Sequence, residues 1–155
     1  MSFFAMVKNA ADGAAALGKK YAPAALSPEK RFAFGVITAC ALITMADGDA
    51  EEREIDEASD FLSHTEQVNA YVGLEEANEI FAMQISELQR AFGKSKGMFA
   101  MAVNKMIGSI KSGVTDPEWT MSVMAVAEVM STKNSSGKAG TDEIAMLHKL
   151  RTAIG

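Results

Sequence analysis

Carboxylates crowd one short stretch of this chain. In TMADGDAEEREIDE, residues 44–57, an apolar run ends at Ala46 and is followed by Asp47, Gly48, Asp49, Glu51, Glu52, Glu54, Asp56 and Glu57, with Arg53 the only cation. Oxygen donors at this density suit a hard divalent cation. Calcium fits better than magnesium, because it accepts an irregular shell of six to eight oxygens. Ordinary helix chemistry is the competing reading. Asp49-Ala50-Glu51-Glu52 has the spacing of a capping box, with Asp49 as N-cap and Glu52 three residues on. Carboxylates in a first turn are favoured by the helix dipole by about 0.3–1 kcal/mol each. Capping accounts for Asp49, Glu51 and Glu52. It leaves unexplained Asp47, which precedes the cap, and the further density at Glu54, Asp56 and Glu57. An EF-hand is excluded: Asp47, Asp49 and Glu51 keep its 1, 3, 5 spacing, but position 6 is Glu52 and position 12 is Ala58. Cation seat and capped turn both remain open.

The other reactive residue types offer less. Cys40 sits within GVITACALITMA, where a thiol behaves as a small buried hydrophobe, and it has no cysteine to pair with. His64 and His148 lie on different helices with no cysteine nearby, so zinc is not expected. Eleven methionines at helical spacing read as core filler. Glu128 interrupts an apolar face and belongs at its rim. No Ser-His-Asp set, phosphate loop or dinucleotide fingerprint occurs, so neither catalysis nor an organic cofactor is expected.

Length and charge bound the rest. A chain of 155 residues, 48% apolar and 23% charged, predicts one globular domain over 1–155, with an N-terminal amphipathic helix at 1–20 and a core at 28–155. Net charge is −5, yet residues 47–60 hold eight acids against one Arg, a charge of −7, so the remainder sums to +2. Such a patch repels phosphate backbones and attracts cations or basic partners, so nucleic acid is not expected to bind. The start, MSFFAMVKNAADG, lacks a basic leader and a long apolar run, which predicts a cytoplasmic protein.

Helices must position these residues. Phe3, Phe4, Val7, Ala10, Ala14 and Leu17 form a first stripe, stopped by Gly18, Pro23 and Pro28. Ser27-Pro28-Glu29 predicts an N-cap with proline at the first helical position. The helix it opens, about 28–46, is apolar on nearly all faces. Its run is shorter than the roughly 20 residues that span a bilayer, so it is a core helix and not a transmembrane one. Further helices are predicted at about 50–64, around 68–72, from 77 to 92, from 99 to 110, from an Asp116-Pro117 start, and over 144–154. GKSKG (93–97) and STKNSSGKAG (131–140) read as linker and loop. Strand patterns are absent. The expectation is an all-α, single-domain bundle of about seven helices. It carries a weak internal two-fold repeat of helical hairpins, 28–64 and 116–154, which pairs the two all-apolar helices at the centre and sets the Asp47 turn and the 133–141 loop in corresponding places.

The opening MSFFAMVKNAADG, followed by FGVITACALITMADGDAEEREIDEASDFL, resembles the TerB family of tellurite-resistance proteins. Members open with a similar MSFF-x-x-VK segment. They carry an Asp-Gly turn between an apolar and an acidic helix, and a second such turn near the C-terminus. The resemblance spans the chain, although 66–113 matches only in helical character. It implies an all-helical, non-enzymatic member of a tellurite and phage stress-resistance system, held at the inner membrane face through a membrane-bound partner protein. It also implies a cation site built from acids at the two turns. Asp47 and Glu52 match the first, with Glu51 close by. The second departs from the pattern: Ser136-Gly137 replaces Asp-Gly, and only Asp142 and Glu143 continue its acidity. The candidate metal set, for calcium or another hard divalent cation, is therefore Asp47, Asp49, Glu51, Glu52, Asp142 and Glu143. The rival function is an acidic interaction module that docks a basic peptide or a membrane-bound partner without metal. A single cysteine in an apolar helix argues against direct reduction of tellurite.

Overall fold

The computed structural model describes residues 3–10, 26–132 and 140–155, without the side chains of Phe4, Asn9 and Ala10. The described residues form eight helices: α1 (Phe3–Ala10), α2 (Pro28–Thr44), α3 (Glu52–Ser63), α4 (Glu66–Asn69), α5 (Leu74–Lys94), α6 (Lys96–Gly113), α7 (Pro117–Ser131) and α8 (Thr141–Ile154). No strand occurs among them, and no helix is long and apolar enough to cross a membrane. Ala14, Leu17, Gly18, Pro23 and the Ser136-Gly137 turn lie outside the described residues.

α2 is the axis of the bundle. Ser27 caps it, its Oγ accepting from the Lys30 N–H at 3.2 Å, and Pro28 takes the first helical position, where no N–H is needed. Residues on every face of α2 are buried, and it packs against α3, α4, α5, α6, α7 and α8. An all-apolar helix needs such complete cover. Its largest contact is with α7, so the two apolar helices do pair, but only α2 is central: α7 keeps an outer face on which Met121 and Val129 are exposed. α7 opens on Asp116, whose Oδ1 accepts from the N–H groups of Glu118 (2.8 Å) and Trp119 (3.3 Å). Gly35 permits the close crossing of α2 with the chain that links α6 to α7: a Cβ there would stand 2.9 Å from Val114 Cγ2.

One hydrophobic cluster runs from Val7 to Leu150, so α1 and α8 share a core. α1 is held by Phe3, stacked on Phe81 of α5 at 5.3 Å between centroids, and by Val7, which is buried. At the start of α2, Phe32 stacks on Trp119 at 5.0 Å and meets Tyr71 edge-on. Among the described residues, one side-chain pair is hydrogen-bonded in the fully buried core. Gln84 Nε2 of α5 donates to Thr38 Oγ1 of α2 at 2.6 Å, and the Thr38 hydroxyl in turn donates a hydrogen bond to the Phe34 carbonyl.

Two local expectations need correction. GKSKG is no linker: Gly93 and Lys94 finish α5, Lys96 and Gly97 begin α6, and Ser95 alone lies between. Its backbone is extended and its Oγ accepts from the Met98 N–H at 3.0 Å, so a one-residue corner is also an N-cap. The capping box at Asp49 does not form either. α3 begins at Glu52, its N-cap is Glu51, and no side chain caps it.

Candidate functional site

The acidic turn is built from the end of α2 outward. Past Thr44 the chain closes a tight turn in which the Gly48 N–H donates to the Met45 carbonyl at 2.8 Å. Gly48 has φ +85°, the left-handed region that favours glycine. The ring of Phe92, from α5, packs against it, and a Cβ on Gly48 would fall 2.2 Å from Phe92 Cδ2. Asp47 Oδ1 accepts from the Asp49 N–H at 3.0 Å. Asp47 thus holds the turn itself, a duty the sequence reading had withheld from it. Asp49 donates to that bond and does not serve as N-cap.

The second acidic turn begins α8. Gly140 is its N-cap, and Glu143 Oε1 accepts from the Gly140 N–H at 3.2 Å. Glycine has no side chain to return the bond, so this is half of a capping box. The turn faces the first one across a cleft.

An open cleft of about 340 Å³ lies between the two turns. Asp47 stands on one wall with Glu54 and Glu57 of α3. Asp142 and Glu143 stand on the other, and Ile43, Ala58 and Met130 lend apolar lining. Of the predicted metal set, Asp47, Asp142 and Glu143 converge here. Asp49, Glu51 and Glu52 are exposed and do not line the cleft. They are turned away because α3 starts later than a cap at Asp49 would require. Glu54 and Glu57 take their place. They are three residues apart, hence on one helical face, and that spacing was the signal to read.

Five carboxylates and one guanidinium share the cleft. The cation is Arg53, 3.8 Å from Glu57 in an exposed pair that contributes little. The imbalance shows at Glu54, whose pKa is raised above the ordinary carboxylate range. Partial burial is the largest cause, Asp47 the next, with Glu51 and Glu143 adding repulsion against a lowering bond from the Glu51 backbone. The Glu143 contribution spans both turns. Among the described residues, no three carboxylates, histidines or cysteines stand close enough to hold an ion directly between them.

The raised Glu54 sets a sign. The folded state holds the Glu54 proton more tightly than the unfolded chain does, so this group subtracts stability above its folded pKa. That loss is recovered as pH falls toward the ordinary carboxylate value. Glu54→Gln should therefore raise the melting temperature at neutral pH in chelator, and that advantage should fade as pH falls through the raised folded value toward the ordinary carboxylate one. A variant that melts below wild type at pH 7 would show that the Glu54 charge is compensated.

The remaining candidates stay structural. Cys40 is fully buried, and burial pushes its thiol far above the usual range, so no thiolate nucleophile is present there. Glu128 pairs with Arg151 at the surface between α7 and α8. His64 hydrogen-bonds to the Asp60 carbonyl, and His148 is exposed.

Comparison with family models, with curated proteins and with solved structures found no match to this chain.

Proposed function

We propose that this is a non-enzymatic stress-resistance protein of the TerB type. In this reading the cleft between its two acidic turns takes a hard divalent cation, calcium before magnesium, and couples that occupancy to a partner protein in a tellurite-resistance system at the cytoplasmic face of a membrane. The carrying observation is the convergence of Asp47, Glu54 and Glu57 with Asp142 and Glu143, nearly a hundred residues apart in sequence, on one cleft. All the charged donors are carboxylates, which select hard ions over zinc or copper. Among the described residues no ready-made trio of ligands is present, so the cation keeps several waters, and binding is weak, with a Kd of roughly 10⁻⁴–10⁻³ M.

A second reading rests on the same wide spacing. An open acidic cleft, with Arg53 able to swing aside, equally suits a lysine or arginine from a basic segment of a partner, with no metal at all.

A thermal melt separates the two. With calcium at about ten times Kd, linkage gives roughly 1.4 kcal/mol of added stability, or about 3–6 °C for a chain of this size. Asp47→Asn keeps the side-chain oxygen that holds the turn and removes the charge. It should abolish the calcium shift while leaving the melt in chelator unchanged or slightly raised. Absence of a shift in wild type at millimolar calcium, with no heat on titration, leaves the metal-free docking module.

A further inference from the structure

The acids of this chain are segregated, and so are its cations. Residues 88–115 contain Arg90, Lys94, Lys96, Lys105 and Lys111 and no Asp or Glu. They comprise the end of α5, the Ser95 corner and α6. Arg90, Lys94 and Lys96 are exposed and make no ion pair among the described residues, while Lys105 meets Glu87 in an exposed pair. The same corner bares large apolar side chains: Phe92 is 39% exposed, Met98 42% and Met101 66%.

The other large hydrophobics bared on the described surface are differently placed. Tyr71 and Leu74 have Glu75 nearby in sequence, Met121 has Glu118, Val129 has Glu128 and Ile144 has Glu143. Those at the Ser95 corner alone have cations as their nearest charged neighbours in sequence. We propose that the α5–α6 corner docks directly on an anionic lipid bilayer, Met98 and Met101 entering the interface while Lys94, Lys96 and Arg90 reach phosphate headgroups. Long basic side chains lay their methylenes along apolar surface and keep the charge at headgroup level, which is the arrangement this corner offers. A site for an acidic protein or nucleic acid would need the cations but not the exposed methionines. The Asp47–Asp49 turn, seated on Phe92, marks the edge of the docking face, since its charge is repelled by the same lipids.

This inference goes beyond the cation reading, and its test is run in chelator so that divalent bridging by the acidic turns cannot contribute. Flotation of the whole protein with phosphatidylcholine vesicles, with and without phosphatidylglycerol, measures it at low and high salt. Wild type should float with the anionic vesicles only, and salt should release it. Lys94→Glu with Lys96→Glu should reduce binding by about tenfold or more. Met98→Ser with Met101→Ser, at exposed positions and with unchanged helicity, should also weaken it several-fold. No flotation at low salt, equal binding to neutral vesicles, or undiminished binding by the charge-reversed protein overturns the proposal. Self-association that Lys94→Glu with Lys96→Glu abolishes, in a protein that does not float, would overturn it in favour of the acidic turn of a second copy.

Discussion

Phe81→Ala should lower stability by about 3–5 kcal/mol, the range for truncating a buried aromatic ring. Phe81 is completely buried on α5 and carries Phe3 stacked upon it. Its removal therefore leaves a cavity and takes away the main seat of α1. A typical domain has about 5–15 kcal/mol in hand, so the variant keeps its fold with a small margin and melts roughly 6–20 °C lower. The loss should also be local. The eight residues described for α1 are too few to persist as an isolated helix. Trypsin should then cut after Lys8 faster than it does in wild type. A variant that loses only a degree or two, with Lys8 cut no faster, would mean that α1 is held by something other than the Phe3–Phe81 stack.

Gly48→Ala should cost about 2–3 kcal/mol through two separable causes. A β-carbon at φ +85° is strained by about 1–2 kcal/mol. It also collides with the Phe92 ring, and relieving such overpacking typically costs a further 1 kcal/mol or more. Phe92 is partly exposed, so it can swing outward at the expense of its edge-on contact with Phe99 at 5.5 Å. A double-mutant cycle with Phe92→Ala isolates the collision: without the ring, Gly48→Ala should retain only the backbone strain. Equal penalties in both backgrounds, read from urea midpoints, would show that the ring contributes nothing. Because Asp47 and Asp49 flank Gly48, any calcium-dependent shift in the melt should weaken in the same variant.

Much of the architecture was legible because it is locally specified. Ser27-Pro28 and Asp116-Pro117 announce their helices through a side-chain acceptor and a residue that needs no donor, and both starts are found where those pairs stand. The pairing of α2 with α7 was legible from composition, since two largely apolar helices seek each other, but the outer face that α7 keeps at Met121 and Val129 was not. The start of α3 was not. Asp49, Glu51 and Glu52 are all chemically able to cap, and the choice depends on how the chain leaves the left-handed turn at Gly48. That path is fixed by Phe92, a residue more than forty positions away. Ser95 misleads for the opposite reason: Gly and Lys around it look like linker composition, while one hydroxyl suffices to end one helix and begin the next. The candidate cleft was half legible. The hairpin echo set the Asp47 turn in correspondence with the 133–141 loop, most of which lies outside the described residues, while Asp142 and Glu143 just beyond it do reach the cleft. The later start of α3 then turned Asp49, Glu51 and Glu52 away and brought Glu54 and Glu57 in.

The central place of α2 has a consequence for how the chain is made. Its largest partner, α7, begins about 70 residues after α2 ends. At roughly 5–20 residues per second, a ribosome needs about 4–15 s to reach the start of α7. Until α7 and α8 follow, the apolar α2 has at most α3, α4, α5 and α6 to shield it. Native closure of this bundle is consequently a late event, reached after synthesis of the C-terminal half, and the nascent chain offers holdase chaperones an apolar helix before its permanent neighbours exist.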